Sequence, residues 1–323
     1  MKKKSLLYIG IIGIMALLAF LVPFFLSSFW IFIIGYALIT SLIGIGFNLL
    51  LGYNGLLSLG HAAFFSIGAY SFTILMKMLN IKSFELLLLF ALAITILFAT
   101  LIGFISLRHI KIYFVLITLA FNQTIFALIY KLYWLTRGSD GLTVPTPIIL
   151  GMHLEVPKTY FINFCFYYYI LVLFIALTVI MWFIVNSPFG RVLKAIKDNA
   201  VRVEFLGMPV WKYRLIAFII SCIYASIGGI LFAVFNGFIS PDYASLLFSS
   251  EIVFLTILGG TDIFWGPIIG AFIYSIIRIY LVTITIYWQF ILGAVLVVLI
   301  LSFRRGVSGA LTELLSKFRK EVK

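Results

Sequence analysis

The sequence predicts an all-α polytopic membrane protein with about ten transmembrane helices, some of them broken, and an internal pseudo-repeat. Three observations lead to that class. Of 323 residues, 64% are hydrophobic and 10% charged, whereas soluble domains are about half apolar and about a quarter charged. Apolar runs of about twenty residues, the length that crosses hydrocarbon, recur along the chain. Two runs, one in each half, are interrupted by glycine and polar residues, a pattern of internally repeated membrane architectures.

The runs lie near 5–26, 29–51, 59–79, 84–107, 112–133, 162–185, 214–236, 246–260, 263–283 and 284–303. The first follows Lys2, Lys3 and Lys4 as a signal peptide would. Its apolar stretch runs on from Leu6 to Leu26 with no small-residue cleavage site, so it is expected to remain as a span. With the N-terminus cytoplasmic, six crossings return the chain inside at Asn186, and four more return it inside at Arg304. Lys and Arg then divide 17 inside to 6 outside, with Arg278 among the external ones, which is the bias that orients membrane proteins. The net charge of +13 is read as that orientation signal, and nucleic acid is not expected as a partner. The outer loop, 134–161, carries the turn formers Gly138, Ser139, Asp140 and Gly141 with Pro145 and Pro147, and is expected to be an ordered cap. The tail, 304–323, is expected to lay Leu311, Leu314, Leu315 and Phe318 on the inner membrane face.

The first interrupted run is LGYNGLLSLGHAAFFSIGAY (51–70), broken by Gly52, Asn54, Gly55, Ser58, Gly60 and His61. The second is EIVFLTILGGTDIFWGPIIGAF (251–272), broken by Gly259, Gly260, Asp262, Gly266 and Pro267. Backbone that leaves the helix at membrane depth must be buried in protein or line a cavity, so each break is a candidate pathway element. Equally, the glycines can serve close helix contact. Asn54, Ser58 and His61 are candidate path residues because they interrupt an apolar helix. Thr118 and Asn122, inside the fifth span, either hydrogen-bond a neighbouring helix or face the path. Glu251 and Asp262 flank the second break and, with Gly259 and Gly260, are expected to be structural or gating rather than to touch solute.

Catalytic chemistry is not expected. The chain has no G-x-x-x-x-G-K-[ST] phosphate loop and no H-E-x-x-H. His61, His109 and His153 are scattered, and Cys165 and Cys222 lack metal or disulfide spacing, so no enzyme activity and no metal are expected.

Five groups of residues occur in family order. They are Gly52-Tyr53-Asn54-Gly55 with Ser58-Leu59-Gly60-His61-Ala62-Ala63-Phe64, Tyr113-Phe114 with Thr118-Leu119-Ala120-Phe121, and Gly138-Ser139-Asp140-Gly141-Leu142. The others are Gly190-Arg191 with Ala195-Ile196-Lys197-Asp198-Asn199, and Leu258-Gly259-Gly260 with Trp265-Gly266-Pro267-Ile268-Ile269-Gly270-Ala271. In these the chain, from Phe47 to Arg305, resembles the M-type Liv permeases of high-affinity branched-chain amino acid ABC importers. It departs from them at Val201 to Phe205, and at Lys111 and Arg137, where glycine is more usual.

The resemblance implies an ABC importer permease fold in a bacterial cytoplasmic (inner or plasma) membrane, with both termini cytoplasmic. It implies a related H-type permease subunit, two ABC ATPase subunits and an extracytoplasmic solute-binding protein as partners. The ATPases would bind ATP and Mg, leaving no cofactor in this chain. The implied function is inward passage of branched-chain amino acids. The alternatives are an ABC permease for urea, amides or sugars, and an ion-coupled secondary carrier for a small apolar solute. Ser139 and Asp140 would dock the binding protein.

The long charged segment 186–214 then acquires a role. Pro188, Gly207 and Pro209 frame a helix of about four turns, with Val192, Ile196, Val203 and Leu206 near one face. A lone basic amphipathic helix rests on lipid. Between cytoplasmic span ends, in a chain with no ATP site, the segment is instead expected to couple to an ATPase. Gly190 would let the helix start dock closely, Arg191, Asp198 and Glu204 would register it in the ATPase groove, and Gly207 would end it. The whole chain, 1–323, is expected as one transmembrane domain.

Overall fold

The computed structural model describes residues 21–109, 111–151, 157–302 and 306–310. Most of the first expected span, and Leu311, Leu314, Leu315 and Phe318 of the expected tail helix, lie outside them. The chain forms α1 (Ser28–Asn48), prolonged by a π-turn at Leu49–Tyr53, then α2 (His61–Met78), α3 (Phe84–Ser106), α4 (Ile112–Lys131) and α5 (Tyr167–Asn186). It continues with α6 (Pro188–Phe205), α7 (Val210–Asn236), α8 (Leu246–Gly259), α9 (Gly266–Ile284) and α10 (Trp288–Ser302).

Helices α1, α2 and α7 form the centre, and their sequences explain why. Helices in lipid gain little from burying apolar surface against each other, so close approach over small residues decides which of them meet. Along α2 run Ala62, Ala63, Ser66, Gly68 and Ala69, and along α7 run Ala225, Ser226, Gly228 and Gly229, all of them buried. A side chain at Gly68 would meet the Cα of Ser226 at 2.9 Å, and one at Gly229 would strike the backbone carbonyl of Phe65. Across α3 and α7 the hydroxyls of Thr95 and Ser226 bond at 2.8 Å. The outer helices α3, α4, α5 and α10 instead keep Leu89, Leu97, Leu116, Val172, Phe183, Phe290 and Val298 exposed, the side chains that suit lipid.

Six helical stretches are long and apolar enough to cross a membrane among the described residues: Ser28–Tyr53, Phe84–Ser106, Ile112–Lys131, Lys158–Asn186, Val210–Asn236 and Gly266–Ile284. The runs expected at 246–260 and 284–303 form the shorter helices α8 and α10. Helices α2 and α8 start inside the bundle, because Asn122, halfway along α4, bonds to the backbone at both Ala63 and Ala244. The approach to α8, residues 237–245, is thus a third break in regular helix, one the sequence reading passes over. Gly237, Pro241 and the Ser245 cap are its local causes.

At the opposite end from α6, β1 (Leu142–Thr143) pairs antiparallel with β2 (Phe238–Ile239). The loop before α5 is also tied to the start of α3: Phe84 N–H donates to Ile148 O at 2.9 Å and Leu150 N–H to Glu85 Oε1 at 2.9 Å. These bonds hold the described part of 134–161 as an ordered cap over this end of the bundle.

Replacing Gly229 by leucine is expected to lower stability by about 1–3 kcal/mol through overpacking. Gly293→Leu, where nothing lies within 4 Å, is the control expected to change nothing. Heat-unfolding midpoints in detergent micelles distinguish the two.

Candidate functional site

Four of the five proposed path residues meet at the first break. Helix α1 ends where Gly55 turns into the left-handed region, φ +73, with Gly55 N–H bonded to Leu51 O and Leu56 N–H to Leu50 O. Residues 56–60 then run unwound to α2. A helix that starts inside a bilayer exposes N–H groups with no water to accept them. Here side chains accept instead. Ala63 N–H donates to Asn122 Oδ1 at 2.8 Å, Ala62 N–H to Ser249 Oγ at 3.2 Å, Leu59 N–H to Thr118 Oγ1 at 3.2 Å and Gly60 N–H to Ser58 Oγ at 3.2 Å. Asn122 also donates through Nδ2 to Ala244 O at 2.9 Å, so one amide ties the start of α2 to the approach to α8.

His61 sits at the first position of α2 with its Nε2 2.6 Å from Ser221 Oγ of α7, and its ring packs edge-on against Phe47. Asn54 lies apart from this network: it is buried, and its amide makes no hydrogen bond among the described residues. All five side chains are buried, so in this conformation they form a packed seam. Ser221, Ser249 and the Ala244 carbonyl are partners that sequence reasoning did not single out. The interruption of apolar α7 and α8 by serines was the available signal.

The second break turns at Gly260, φ 104, and its glycines let α8 and α9 touch backbone to backbone: a Cβ on Gly259 would strike the Gly266 carbonyl. Ser308 donates to Gly259 O at 2.5 Å, so the chain after α10 folds back onto this turn. The two acids flanking the break behave differently. Asp262 is mostly exposed, whereas Glu251 lies inside, 3.5 Å from Arg278 Nε of α9. Arg278 also donates to the Tyr36 hydroxyl at 2.7 Å and lies over the rings of Tyr36 and Trp288. Arg278 therefore does not belong with the exposed external charges of the sequence count. Its guanidinium is carried inside the bundle by the Glu251 carboxylate, one turn into α8, together with the Tyr36 hydroxyl and the two rings.

Helix α6 departs from the single four-turn helix expected. Ser187 caps it, accepting from Gly190 N–H, and Pro188 is the first residue, as expected. Within it Asn199 leaves helical geometry (φ −158, ψ 97), and its Oδ1 accepts from Arg202 N–H at 3.1 Å. Asn199 thus acts as an N-cap that restarts the helix. Leu193, Ile196 and Val203 are buried, Val192 is only partly so, and Leu206 is 76% exposed beside Phe205 at 87%. Gly190 packs on the Val185 carbonyl, and Gly207, φ +79, ends the helix by donating to Glu204 O. Arg191, Asp198 and Glu204 are exposed.

One side chain joins α6 to both breaks. Lys197 Nζ donates to Gly52 O at 2.8 Å and lies 3.6 Å from Asp262 Oδ1. Its neighbour Lys194 sits over the Tyr53 ring at 4.9 Å. Carbonyls at a helix C-terminus carry partial negative charge, and a cation there contributes about 0.3–1 kcal/mol. At the other end of the bundle Ser139 and Asp140 are exposed on a short helical turn. Tyr133 donates to Asp140 Oδ2 at 2.9 Å, which with the nearby negative charge holds the Tyr133 hydroxyl above its ordinary pKa. No cluster of three His, Cys, Asp or Glu side chains suited to a metal occurs among the described residues.

A bundle of helices long and apolar enough to cross a membrane, broken where polar side chains turn inward, is that of a multi-pass membrane protein. The chain belongs to the family described as branched-chain amino acid transport system / permease component, whose model matches residues 29–300. It is 28% identical over 317 residues to the high-affinity branched-chain amino acid transport system permease protein LivM of Salmonella typhimurium, covering 91% of this chain and 74% of the relative. The LivM of Escherichia coli is 28% identical over 308 residues, covering 88% and 71%. An autoinducer 2 import system permease protein, LsrC of Photorhabdus laumondii, is 32% identical over a shorter stretch, 40% of this chain and 41% of the relative. No solved structure matches the chain. The role that follows from the family is transport, not enzymatic catalysis.

Two predictions concern the packed seam. Asn122→Leu strands the Ala63 N–H and the Ala244 carbonyl, at about 1–3 kcal/mol for each buried group left unpaired. Heat unfolding in detergent should register the loss, and amide exchange should quicken at the start of α2. Glu251→Leu leaves a buried unpaired guanidinium and is expected to cost about 3–5 kcal/mol, most of it regained when Arg278→Met is added. The midpoints of the two single variants and the double variant read that coupling directly.

Proposed function

We propose that the chain is a permease subunit of an ATP-driven ABC importer that carries branched-chain amino acids inward across a bacterial cytoplasmic membrane. The observation that carries this reading is α6. It is an amphipathic helix outside the bundle, fixed to it on one face, with Arg191, Asp198, Glu204, Val201, Phe205 and Leu206 on view. Lipid would satisfy the apolar groups alone, whereas this mixture of both charge signs with apolar side chains suits a protein groove. The bend at Asn199 shapes it as a two-step plug rather than a straight rod.

In this reading the chain spans the membrane ten times with both termini cytoplasmic, and 186–214 is the coupling segment. A related H-type permease lies beside it, and two ATPases bind ATP and Mg below. A solute-binding protein docks on the outer loop at Ser139 and Asp140. Closure of the ATPases pushes α6, and the helices rock about the seam at Ser58, His61, Thr118 and Asn122, with Gly259, Gly260 and Asp262 forming a hinge between α8 and α9. Asn54 and His61 Nδ1, buried without hydrogen-bond partners, are the polar groups nearest to hand for a passing solute. The likeness to LsrC supports a second reading, in which the solute is a small polar molecule other than an amino acid.

The test is reconstitution of the chain with its partner subunits in vesicles. Arg191→Glu together with Glu204→Arg is expected to abolish copurification of the ATPases and to cut ATP-driven leucine uptake at least tenfold. Unchanged assembly and uptake would refute the coupling role, and uptake driven by an ion gradient with this chain alone would place it among secondary carriers. Asn54→Leu and His61→Phe are expected to change uptake affinity or rate. Competition between leucine and autoinducer-type sugars separates the two solute classes.

A further inference from the structure

We propose that Lys197 is the positioning residue that links the coupling helix to both helix breaks, so that displacement of α6 moves the end of α1 and the α8–α9 turn together. The inference rests on the coupling role of α6 and goes beyond it by naming the inward-facing group that transmits the motion.

The geometry comes from three elements. The π-turn at Leu49–Tyr53 ends α1 with the carbonyl of Gly52 turned toward α6, and Lys197 Nζ donates to it at 2.8 Å. The same nitrogen lies 3.6 Å from Asp262 Oδ1 in the turn between α8 and α9. The two breaks also touch directly, since a Cβ at Gly52 would stand 2.5 Å from the carbonyl oxygen of Thr261. The aliphatic stem of Lys197 packs on Gly55, with its Cγ 3.1 Å from where a Cβ would stand. Lys194 adds a parallel contact over the Tyr53 ring.

The two bonds of Lys197 have unequal weight. Asp262 is 77% exposed, so its ion pair adds little to stability and is easily exchanged. The bond to Gly52 is made to a helix-terminal carbonyl at a part-buried site and is the firmer one. A firm bond to one break and an exchangeable one to the other suits a link that holds α1 while letting the α8–α9 turn shift. Arg191 and Glu204 serve the opposite side of the same task, since both are exposed and neither makes an ion pair among the described residues.

The experiment uses the full complex in vesicles and reads ATP hydrolysis and leucine uptake in the same preparation. Lys197→Met is expected to keep the ATPase subunits bound and hydrolysing within about twofold of wild type while uptake per ATP falls about tenfold. Lys197→Arg, which can still donate to Gly52 O, is expected to restore most of that ratio. Asp262→Lys, a change at an exposed position that the fold tolerates, sets two ammonium groups together and is expected to lower the ratio severalfold. It serves as the second variant should Lys197→Met fail to assemble. An unchanged uptake-to-ATP ratio in both Lys197→Met and Asp262→Lys overturns the proposal, as does loss of ATPase copurification in well-folded Lys197→Met, which would make Lys197 a docking contact. The coupling role itself fails separately, through intact assembly and uptake in the Arg191 and Glu204 double variant.

Discussion

The N–H groups that open α2 lie beside the middle of α4, where hydrocarbon offers them nothing, and the packing of three helices follows from how they are satisfied. Asn122 and Ser249 accept from Ala63 and Ala62, which brings α4 and α8 against the same helix end. The amide at position 122 meets the full demand, because it accepts from Ala63 N–H through Oδ1 and donates to the Ala244 carbonyl through Nδ2 at once. A carboxylate would lack the donor and add a charge, and a leucine would lack both. The price of leaving backbone unpaired in lipid, several kcal/mol for each group, thus fixes side chains far apart in sequence.

Much of the fold could be read from residues. Membrane class, the positions of most helices and the ends of α6 follow from hydropathy, Pro188 and Gly207, because these are local properties. The central place of α1, α2 and α7 was also present in the sequence as runs of glycine, alanine and serine, although such runs do not say which partner they meet. What stayed hidden was relational. Gly237 and Pro241 marked the third break, but only the bond from Asn122 to Ala244 shows that it enters the bundle. Arg278 looked like an external charge because its neighbour Glu251 is 27 positions away in sequence. The bend in α6 rested on whether Asn199 would use its side chain as a cap, a choice that helix periodicity does not reveal. Leu206 leaves the face that Ile196 and Val203 keep because it is the C-cap, one residue past the end of the helix.

Of the path residues, Ser58, His61, Thr118 and Asn122 were chosen because polar groups in an apolar helix need a reason. The structure supplies one that is architectural: three of them serve backbone groups freed by the break, and His61 reaches Ser221. This does not compete with a transport role. Side chain to backbone bonds can be exchanged one at a time, whereas the bonds inside a continuous helix are lost only together. Segments held in the first way are therefore where a bundle of rigid helices can change shape, and here they lie at 56–60 and 237–245.

The position of α6 relative to these segments completes the physical case. A helix lying on lipid would transmit force to the bundle only through its two chain connections, at Ser187 and Pro209. Helix α6 has a third attachment in its middle, where Lys197 holds the Gly52 carbonyl at the end of α1 and faces the α8–α9 turn. The same side chain lies two residues before the bend at Asn199, and beyond the bend Val203 is again buried against the bundle while Phe205 and Leu206 face outward. Lys197 and Lys194 are thus the charges of α6 that reach the end of α1, whereas Arg191, Asp198 and Glu204 are exposed.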